Sequence, residues 1–295
     1  MSWLQLRLDA RRQDAGELED QLLASGSVAV TLEDNADQPV LEPGVGKTPL
    51  WDQIRLTGLY PADTNMDQVL EIIGSNLLGG CNHRVEILED KDWEREWMQR
   101  YQPMQFGERL WVCPSWLEPP DPSAINLLLD PGLAFGTGTH PTTALCLAEL
   151  DALGPSGMTV VDYGCGSGIL AVATLKLGAT RALGIDHDPQ ALRATRDNAQ
   201  RNGVKECDLT VALPGQETGQ PFADSSDLVI ANILAGPLIA LSDTLLSFMK
   251  PGATLMLSGL LSSQAEEIST HYAADIALHI AGELDGWVCL RGRKS

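Results

Sequence analysis

The chain has 295 residues, of which 20% are charged and 44% are hydrophobic, a balance typical of a globular protein in water. Its 20 basic residues are outnumbered by 40 acidic ones, which gives a formal net charge of −20. Such a surface disfavours nucleic acid as the main partner and attracts basic macromolecules. At this length, two domains with a sizeable core are expected.

Cysteine spacing and hydropathy exclude several further classes. The six cysteines form no C-x-x-C pair, so the spacing indicates neither a zinc site nor a dithiol redox motif. The sequence shows no signal peptide, and it contains no run of ~20 apolar residues that would span a membrane. These features predict a cytoplasmic protein with free thiols and without a resident metal.

The first 90 residues alternate between strand and helix patterns. Strands are predicted at 2–8, 28–32, 51–60 and 83–88, with helices at 14–25 and 66–78. The resulting order β-α-β-β-α-β is that of a ferredoxin-like module. Because unrelated proteins use such modules for many purposes, the pattern by itself predicts no chemistry for this part of the chain.

A linker helix is predicted after this module. The segment D-W-E-R-E-W-M-Q-R-Y at 92–101 is charged and aromatic at helical spacing, which places Trp93 and Trp97 on one helix face. The chain is therefore expected to divide into a ferredoxin-like domain at 1–90, a connector at 91–122 and a second domain at 123–295.

The segment T-V-V-D-Y-G-C-G-S-G at 159–168 is the most informative stretch of the second domain. It predicts a strand and a tight glycine turn, and a helix follows at 169–177. A second strand at 182–185 leads into Asp186. This order opens a parallel α/β nucleotide site, in which the acid after the second strand accepts the ribose hydroxyls of a nucleoside.

Two cofactor classes use this layout. Dinucleotide enzymes favour G-x-G-x-x-G, because the pyrophosphate binds at the helix N-terminus. Here the glycines stand at Gly164, Gly166 and Gly168, and the strand ends in Asp162, whose charge would repel a pyrophosphate. A carboxylate suits a cofactor that carries an ammonium and a sulfonium, so the pattern favours S-adenosylmethionine over NAD. A glycine-rich turn without a ligand is the remaining alternative.

The rest of the second domain alternates between strands and helices. Strands are predicted at 209–212, 226–234 and 253–258, helices at 189–202, 237–246 and 266–273, a turn at 251–252 and a closing hairpin at 276–281 and 287–291. Ligands of open α/β sheets bind outside the carboxyl ends of the strands. We therefore expect Asp162, Asp186 and Asn232, at the tip of the 226–234 strand, to converge on one crevice.

A loop dense in glycine and threonine precedes this sheet. It contains D-P-G-L-A-F-G-T-G-T-H-P-T-T at 130–143, and such concentrations of small hydroxyl residues are typical of functional loops. Thr143 is predicted to open a helix at 144–153, which would place its hydroxyl at a helix N-terminus.

These motifs together resemble a known family. The loop at 130–143, the turn D-Y-G-C-G-S-G at 162–168, the segment A-N-I-L at 231–234 and the helix D-W-E-R-E-W at 92–97 are similar to those of the methyltransferases that modify the eleventh protein of the large ribosomal subunit. The resemblance covers essentially the whole chain. It implies a Rossmann-like class I methyltransferase sheet behind a smaller N-terminal ferredoxin-like α+β domain.

The resemblance also implies an activity. Enzymes of this family use S-adenosylmethionine to trimethylate lysine ε-amines and the N-terminal α-amine of that ribosomal protein, which the N-terminal domain captures. Cofactor contacts carry over to Thr143, Gly164, Asp186 and Asn232, and the residues themselves add Asp162 and Gly166. A monomer is expected, with a basic ribosomal protein as partner and no membrane or direct nucleic-acid contact.

Asn232 is the expected catalytic residue, since a neutral amide can orient an amine without holding it as a cation. Three alternatives remain open at this point. An RNA or DNA base methyltransferase should show a basic face and aromatic stacking residues. A small-molecule methyltransferase would not need a separate capture domain. A non-catalytic ribosome assembly factor would have no use for Asp162, Asp186 and Asn232 together.

Overall fold

The computed structural model describes residues 3–36, 51–88, 101–130, 140–216 and 222–295. The predicted linker helix, with Trp93 and Trp97, lies outside these ranges except for Tyr101, and so does the middle of the loop at 131–139. The chain divides into two compact units, Met1–Met98 and Gln99–Ser295. The finer boundaries at residues 90 and 122 stay a prediction.

The first unit is a four-stranded antiparallel sheet with helices. Its elements are β1 (Trp3–Arg11), α1 (Ala15–Ala24), β2 (Ala29–Asp34), β3 (Gln53–Pro61), α2 (Met66–Ile73), α3 (Ser75–Leu78) and β4 (Asn82–Leu88). The sheet order is β2-β3-β1-β4, and every neighbouring pair is antiparallel. This confirms the ferredoxin-like prediction. The single helix predicted at 66–78 was wrong, because Gly74 at φ +85° interrupts it.

Side-chain periodicity builds the core of this unit. Leu6 and Leu8 alternate along β1 and are fully buried, while the residues between them face the other side of the sheet. Leu18 and Leu22, four residues apart on one face of α1, are fully buried in the same cluster. Buried side chains thus repeat every two residues in the strand and about every four residues in the helix. One face of the sheet therefore packs against one face of the helix.

The second unit is an α/β structure. Its elements are β5 (Met104–Phe106), β6 (Leu110–Cys113), β7 (Ile125–Leu128), α4 (Pro141–Leu153), β8 (Thr159–Tyr163), α5 (Ile169–Lys176), β9 (Arg181–Ile185), α6 (Pro189–Arg201), β10 (Leu209–Ala212), β11 (Ser226–Asn232), α7 (Ala235–Ala240), α8 (Ser242–Phe248), β12 (Met249–Leu261), α9 (Ala265–Tyr272), β13 (His279–Leu284) and β14 (Trp287–Arg293). Among the described residues, no helix is both long and apolar enough to cross a membrane.

The main sheet has the order β10-β9-β8-β11-β12-β14-β13. The first five strands are mutually parallel, and β14 and β13 join as an antiparallel hairpin. Buried clusters lie against both faces of the sheet. The strand order reverses between β8 and β11, and in such sheets a crevice opens at that point, outside the carboxyl ends of the strands.

A smaller sheet, β5-β6-β7, is fastened to α4 by one carboxylate. Asp151 on α4 is buried, and its Oδ2 accepts hydrogen bonds from the backbone N–H groups of Glu108 (2.7 Å) and Arg109 (3.1 Å). Its Oδ1 accepts another from Arg109 Nε at 3.1 Å. Part of the predicted connector therefore packs on the helix that carries Thr143.

Two local predictions in this unit were wrong. The helix predicted at 237–246 is broken at Leu241, which separates α7 from α8. Strand β12 continues through the turn predicted at 251–252, and its pairing with β11 shifts register there. An irregularity of this kind accommodates Pro251, which has no N–H to donate to a ladder. Strands β5 and β7 were not predicted.

Candidate active site

The three predicted side chains meet at one edge of the main sheet. Strands β9, β8 and β11 are parallel neighbours, so their carboxyl ends lie side by side. Asp162 is in β8, Asp186 directly follows β9, and Asn232 is the last residue of β11. The structure thus brings together the residues that were expected to converge.

Asp162 is a buried carboxylic acid with one unused oxygen. Its exposed fraction is 1%, and Oδ2 accepts a hydrogen bond of 3.0 Å from the backbone N–H of Ala171 in the first turn of α5. Its Oδ1 is buried and has no hydrogen-bond partner. Burial raises the pKa of Asp162 to about 7, the Ala171 bond opposes this, and the charge of Asp186 adds to it.

Asp186 shapes the glycine turn. Its Oδ2 accepts from the N–H of Gly166 and its Oδ1 from the N–H of Asp188, both at 2.9 Å. The ring Nδ1 of His187 lies 3.4 Å from Oδ1. An ionised carboxylate offers about four lone pairs, so Asp186 retains capacity for further donors such as hydroxyl groups.

Asn232 is oriented by Thr143. The Nδ2 of Asn232 donates to Thr143 Oγ1 at 3.4 Å, and Thr143 is fully buried in the first turn of α4. The Oδ1 of Asn232 is buried without a hydrogen-bond partner. The contact with Thr143 therefore occupies the donor side of the amide and leaves its acceptor side available.

The helix that carries Thr143 begins three residues earlier than predicted. Its N-cap is His140, whose Nδ1 accepts from the N–H of Thr142 at 3.3 Å, and Pro141 takes the first helical position. Burial lowers the pKa of His140, which favours the neutral ring that can accept this bond. The edge of the His140 ring meets Trp287 at a centroid distance of 5.0 Å.

Two glycines hold the strand tip. A Cβ on Gly164 would lie 2.3 Å from Ile233 Cγ2, and a Cβ on Gly259 would lie 2.3 Å from the carbonyl oxygen of Ile233. Both glycines have positive φ, +78° and +85°, which other residues rarely adopt. Sequence reasoning missed Gly259, although a glycine inside an apolar strand signals close backbone approach.

Helix α6 supports the glycine turn from the side. Thr195 Oγ1 donates to the carbonyl of Gly166 at 3.1 Å, and Asn198 Nδ2 donates to the carbonyl of Ser167 at 2.8 Å. Both side chains are buried. Sequence reasoning missed them too, and the available signal was two polar residues, three apart, on the apolar face of that helix.

The site fits a cationic cofactor. Two buried oxygens without partners, on Asp162 and Asn232, require hydrogen-bond donors, and a buried acid becomes a stable carboxylate when a cation lies beside it. No group of three or more His, Cys, Asp or Glu side chains within the described ranges could hold a metal ion. The parallel sheet ends in an antiparallel hairpin, and the carboxylate at its edge would repel a pyrophosphate. These features define a Rossmann-like methyltransferase, the class of protein that uses S-adenosylmethionine.

Comparison with known proteins gives the family. The model of the family "Ribosomal protein L11 methyltransferase (PrmA)" matches residues 2–295, and the chain belongs to this family. A ribosomal protein L11 methyltransferase of Escherichia coli (strain SMS-3-5 / SECEC) is 52% identical over 297 residues and covers 100% of both chains. One of Sodalis glossinidius (strain morsitans) is 53% identical over 296 residues, again covering 100% of both.

A solved structure supports the same assignment. The crystal structure of ribosomal protein L11 methylase from Lactobacillus delbrueckii subsp. bulgaricus superposes with a TM-score of 0.59 at 30% sequence identity. The match covers 66% of this chain and 100% of that one. Family and fold predictions from the sequence are therefore confirmed.

The burial of Asp162 predicts how stability depends on pH. Because burial raises the pKa of Asp162 in the folded protein from its ordinary value of 3.8 to about 7, the stability that this group contributes is present at low pH and is lost as the pH rises from about 4 to about 7. Asp162→Asn keeps the shape without the charge. In cofactor-free protein, the free energy of unfolding of this variant relative to wild type should rise between about pH 4 and 7 and stay constant above pH 7. Each tenfold difference in proton affinity between the folded and unfolded states is worth about 1.4 kcal/mol.

Thermal or denaturant unfolding of both proteins across this range measures the difference. Other titrating groups cancel in the comparison, because both proteins share them. A difference that does not change with pH would show that Asp162 is ionised in the empty site.

Proposed function

We propose that this chain transfers methyl groups from S-adenosylmethionine to lysine ε-amines and to the N-terminal α-amine of ribosomal protein L11. The observation that carries the proposal is the pair of buried, unpartnered oxygens, Asp162 Oδ1 and Asn232 Oδ1, on neighbouring strands. The net charge of −20 supports a basic protein as partner and disfavours nucleic acid. We place this activity in the cytoplasm and assign it to a monomer.

The cofactor contacts are proposed residue by residue. Asp162 would accept from the ammonium through its unpartnered Oδ1, which gives the buried carboxylate a counter-charge. Asp186 would accept the ribose hydroxyls, and the turn at Gly164 and Gly166 would let the cofactor approach the backbone. Thr143 completes the set at the first turn of α4.

The chain's task in the reaction is positioning. S-adenosylmethionine, when bound, supplies a methyl group on a sulfonium, and the sulfur keeps the electron pair of the broken C–S bond and leaves as a neutral thioether. No negative charge develops on a leaving group, so the chain needs no oxyanion hole. It must hold an amine whose lone pair points at the methyl carbon, which is an orientation effect.

Asn232 suits an amine acceptor. A lysine amine has a pKa of about 10.4 in water and must lose its proton before it can attack. A carboxylate beside it would hold it as a cation, whereas the Oδ1 of Asn232 accepts a hydrogen bond from the neutral amine without adding charge. Because Nδ2 donates to Thr143, it is the oxygen of the Asn232 amide that would be left for the methyl-accepting amine.

Label transfer tests the proposed activity. With methyl-labelled S-adenosylmethionine and a ribosomal extract, the label is expected on ribosomal protein L11. Asp186→Ala should weaken cofactor binding by about 1–3 kcal/mol, since it removes a hydrogen-bonding carboxylate, and calorimetry would measure the loss. Asp197→Ala, an exposed acid on α6, is the matched control and should bind normally. Label found on RNA, or on another protein alone, would contradict the proposal.

The second test concerns Asn232. Asn232→Asp preserves the shape and adds a charge that holds the acceptor amine as its cation, so the pH profile of kcat/KM should move to higher pH. Asn232→Ala should lower kcat through lost positioning, with a smaller loss of cofactor affinity. If Asn232→Asp kept the wild-type rate and an unmoved profile, this side chain would not orient the nucleophile.

The first unit is proposed as the capture element for ribosomal protein L11. All the site residues lie in the second unit, so the ferredoxin-like sheet is left for substrate binding. A fragment from Asp92 onward should bind the cofactor and methylate a short lysine peptide at the wild-type rate, but it should lose activity on intact L11. Rates on both acceptors would be compared with those of the full chain. Undiminished activity on the intact protein would remove the first unit from substrate capture.

A further inference from the structure

Leu234 exposes an apolar side chain beside the site. It follows Asn232 by two residues at the carboxyl edge of the sheet, and 50% of it is exposed. Ile280, at 52%, is similarly exposed but lies on the edge strand β13, three strands away from β11. Of these two exposed side chains, Leu234 is thus the one close to Asn232 in the chain.

The position of Leu234 would favour a different residue if stability alone mattered. It is the N-cap of α7, with φ −60° and ψ 155°, and it makes no side-chain cap hydrogen bond. Serine, threonine, aspartate and asparagine stabilise this position because their oxygens accept from the first N–H groups of the helix. Leucine supplies no such acceptor, and its side chain is only half buried. Its presence here is not explained by helix stability or by core packing.

The backbone around Leu234 is fixed. Ile233 is enclosed between Gly164 and Gly259, and Ala235 on the other side is buried. The carbonyl of Leu234 accepts the N–H of Leu238 at 3.1 Å. The backbone that carries the Leu234 side chain is therefore held in place two residues after Asn232. A residue that selects a substrate needs such a fixed backbone.

We propose that Leu234 is a specificity-determining contact, whose side chain packs against the aliphatic stem of the acceptor amine while Asn232 Oδ1 accepts from its nitrogen. This rests on the proposed function. A lysine side chain has an apolar stem and a polar tip, so an apolar surface two residues from an acceptor oxygen matches both parts. A charged cap here, such as aspartate, would keep the amine protonated, whereas leucine excludes water and adds no charge.

The test separates substrate contact from stability. Leu234→Ser should raise the KM for ribosomal protein L11 about tenfold, a typical consequence of a lost apolar contact. Cofactor affinity measured by calorimetry should not change. The melting temperature should stay the same or rise by about 2–4 °C, because serine can cap α7. The Leu234→Met variant, whose side chain is apolar and of similar size, should keep the wild-type KM. Ile280→Ser is the matched control and should leave all of these values unchanged.

Other outcomes overturn the inference in distinguishable ways. An unchanged KM in Leu234→Ser would show that the side chain does not touch the acceptor, while the proposed function would stand. Weakened cofactor binding would instead place Leu234 against the cofactor, and a lower melting temperature with parallel losses in every measurement would give it a structural role. If wild-type enzyme fails to label L11, the proposed function fails before any variant is compared, and this inference falls with it.

Discussion

The site depends on a carboxylic acid that the fold buries with only half of its hydrogen-bonding capacity used. Asp162 fastens the end of β8 to the first turn of α5 through the N–H of Ala171, while its other oxygen has no partner. Burying such an oxygen disfavours the folded state of the empty protein. A cation beside it reverses the effect, so the same geometry that weakens the empty fold favours a charged ligand. Stability and ligand preference at this position therefore have one physical origin.

The neighbouring strand tip is restrained from several directions. Thr143 reaches Asn232 from α4, and Ile233 is enclosed by Gly164 in the turn after β8 and by Gly259 in β12. Interactions from separate elements fix the direction of one amide. Such rigidity suits a reaction in which the chain contributes orientation and not charge, because small misplacements of the reacting atoms are costly. The anchoring of the β5–β6 turn by Asp151 steadies the helix that carries Thr143.

Sequence patterns predicted the features that are local in the chain. Strand, glycine turn and helix at 159–176 are adjacent residues, and parallel strands place Asp162, Asp186 and Asn232 at one edge. The missed features depend on contacts between distant segments. Thr195 and Asn198 support the turn from another helix, and no spacing rule connects them to it. The register shift in β12 lies around Pro251, and the local pattern there predicted a turn because it does not show that the strand continues beyond this residue.

Charge is distributed unevenly over the strand tips of this site. The acids, Asp162 and Asp186, lie on β8 and after β9, whereas the next strand, β11, ends in the neutral Asn232 followed by apolar Ile233 and Leu234. Under the proposed function, the two carboxylates suit a cationic cofactor, but a carboxylate beside the amine would keep that amine protonated. An enzyme that joins a cation to a neutral nucleophile must keep these two environments apart. Under the proposed function, the switch point between β8 and β11 would provide that separation, since two adjacent strand tips carry different side chains at one edge of the sheet.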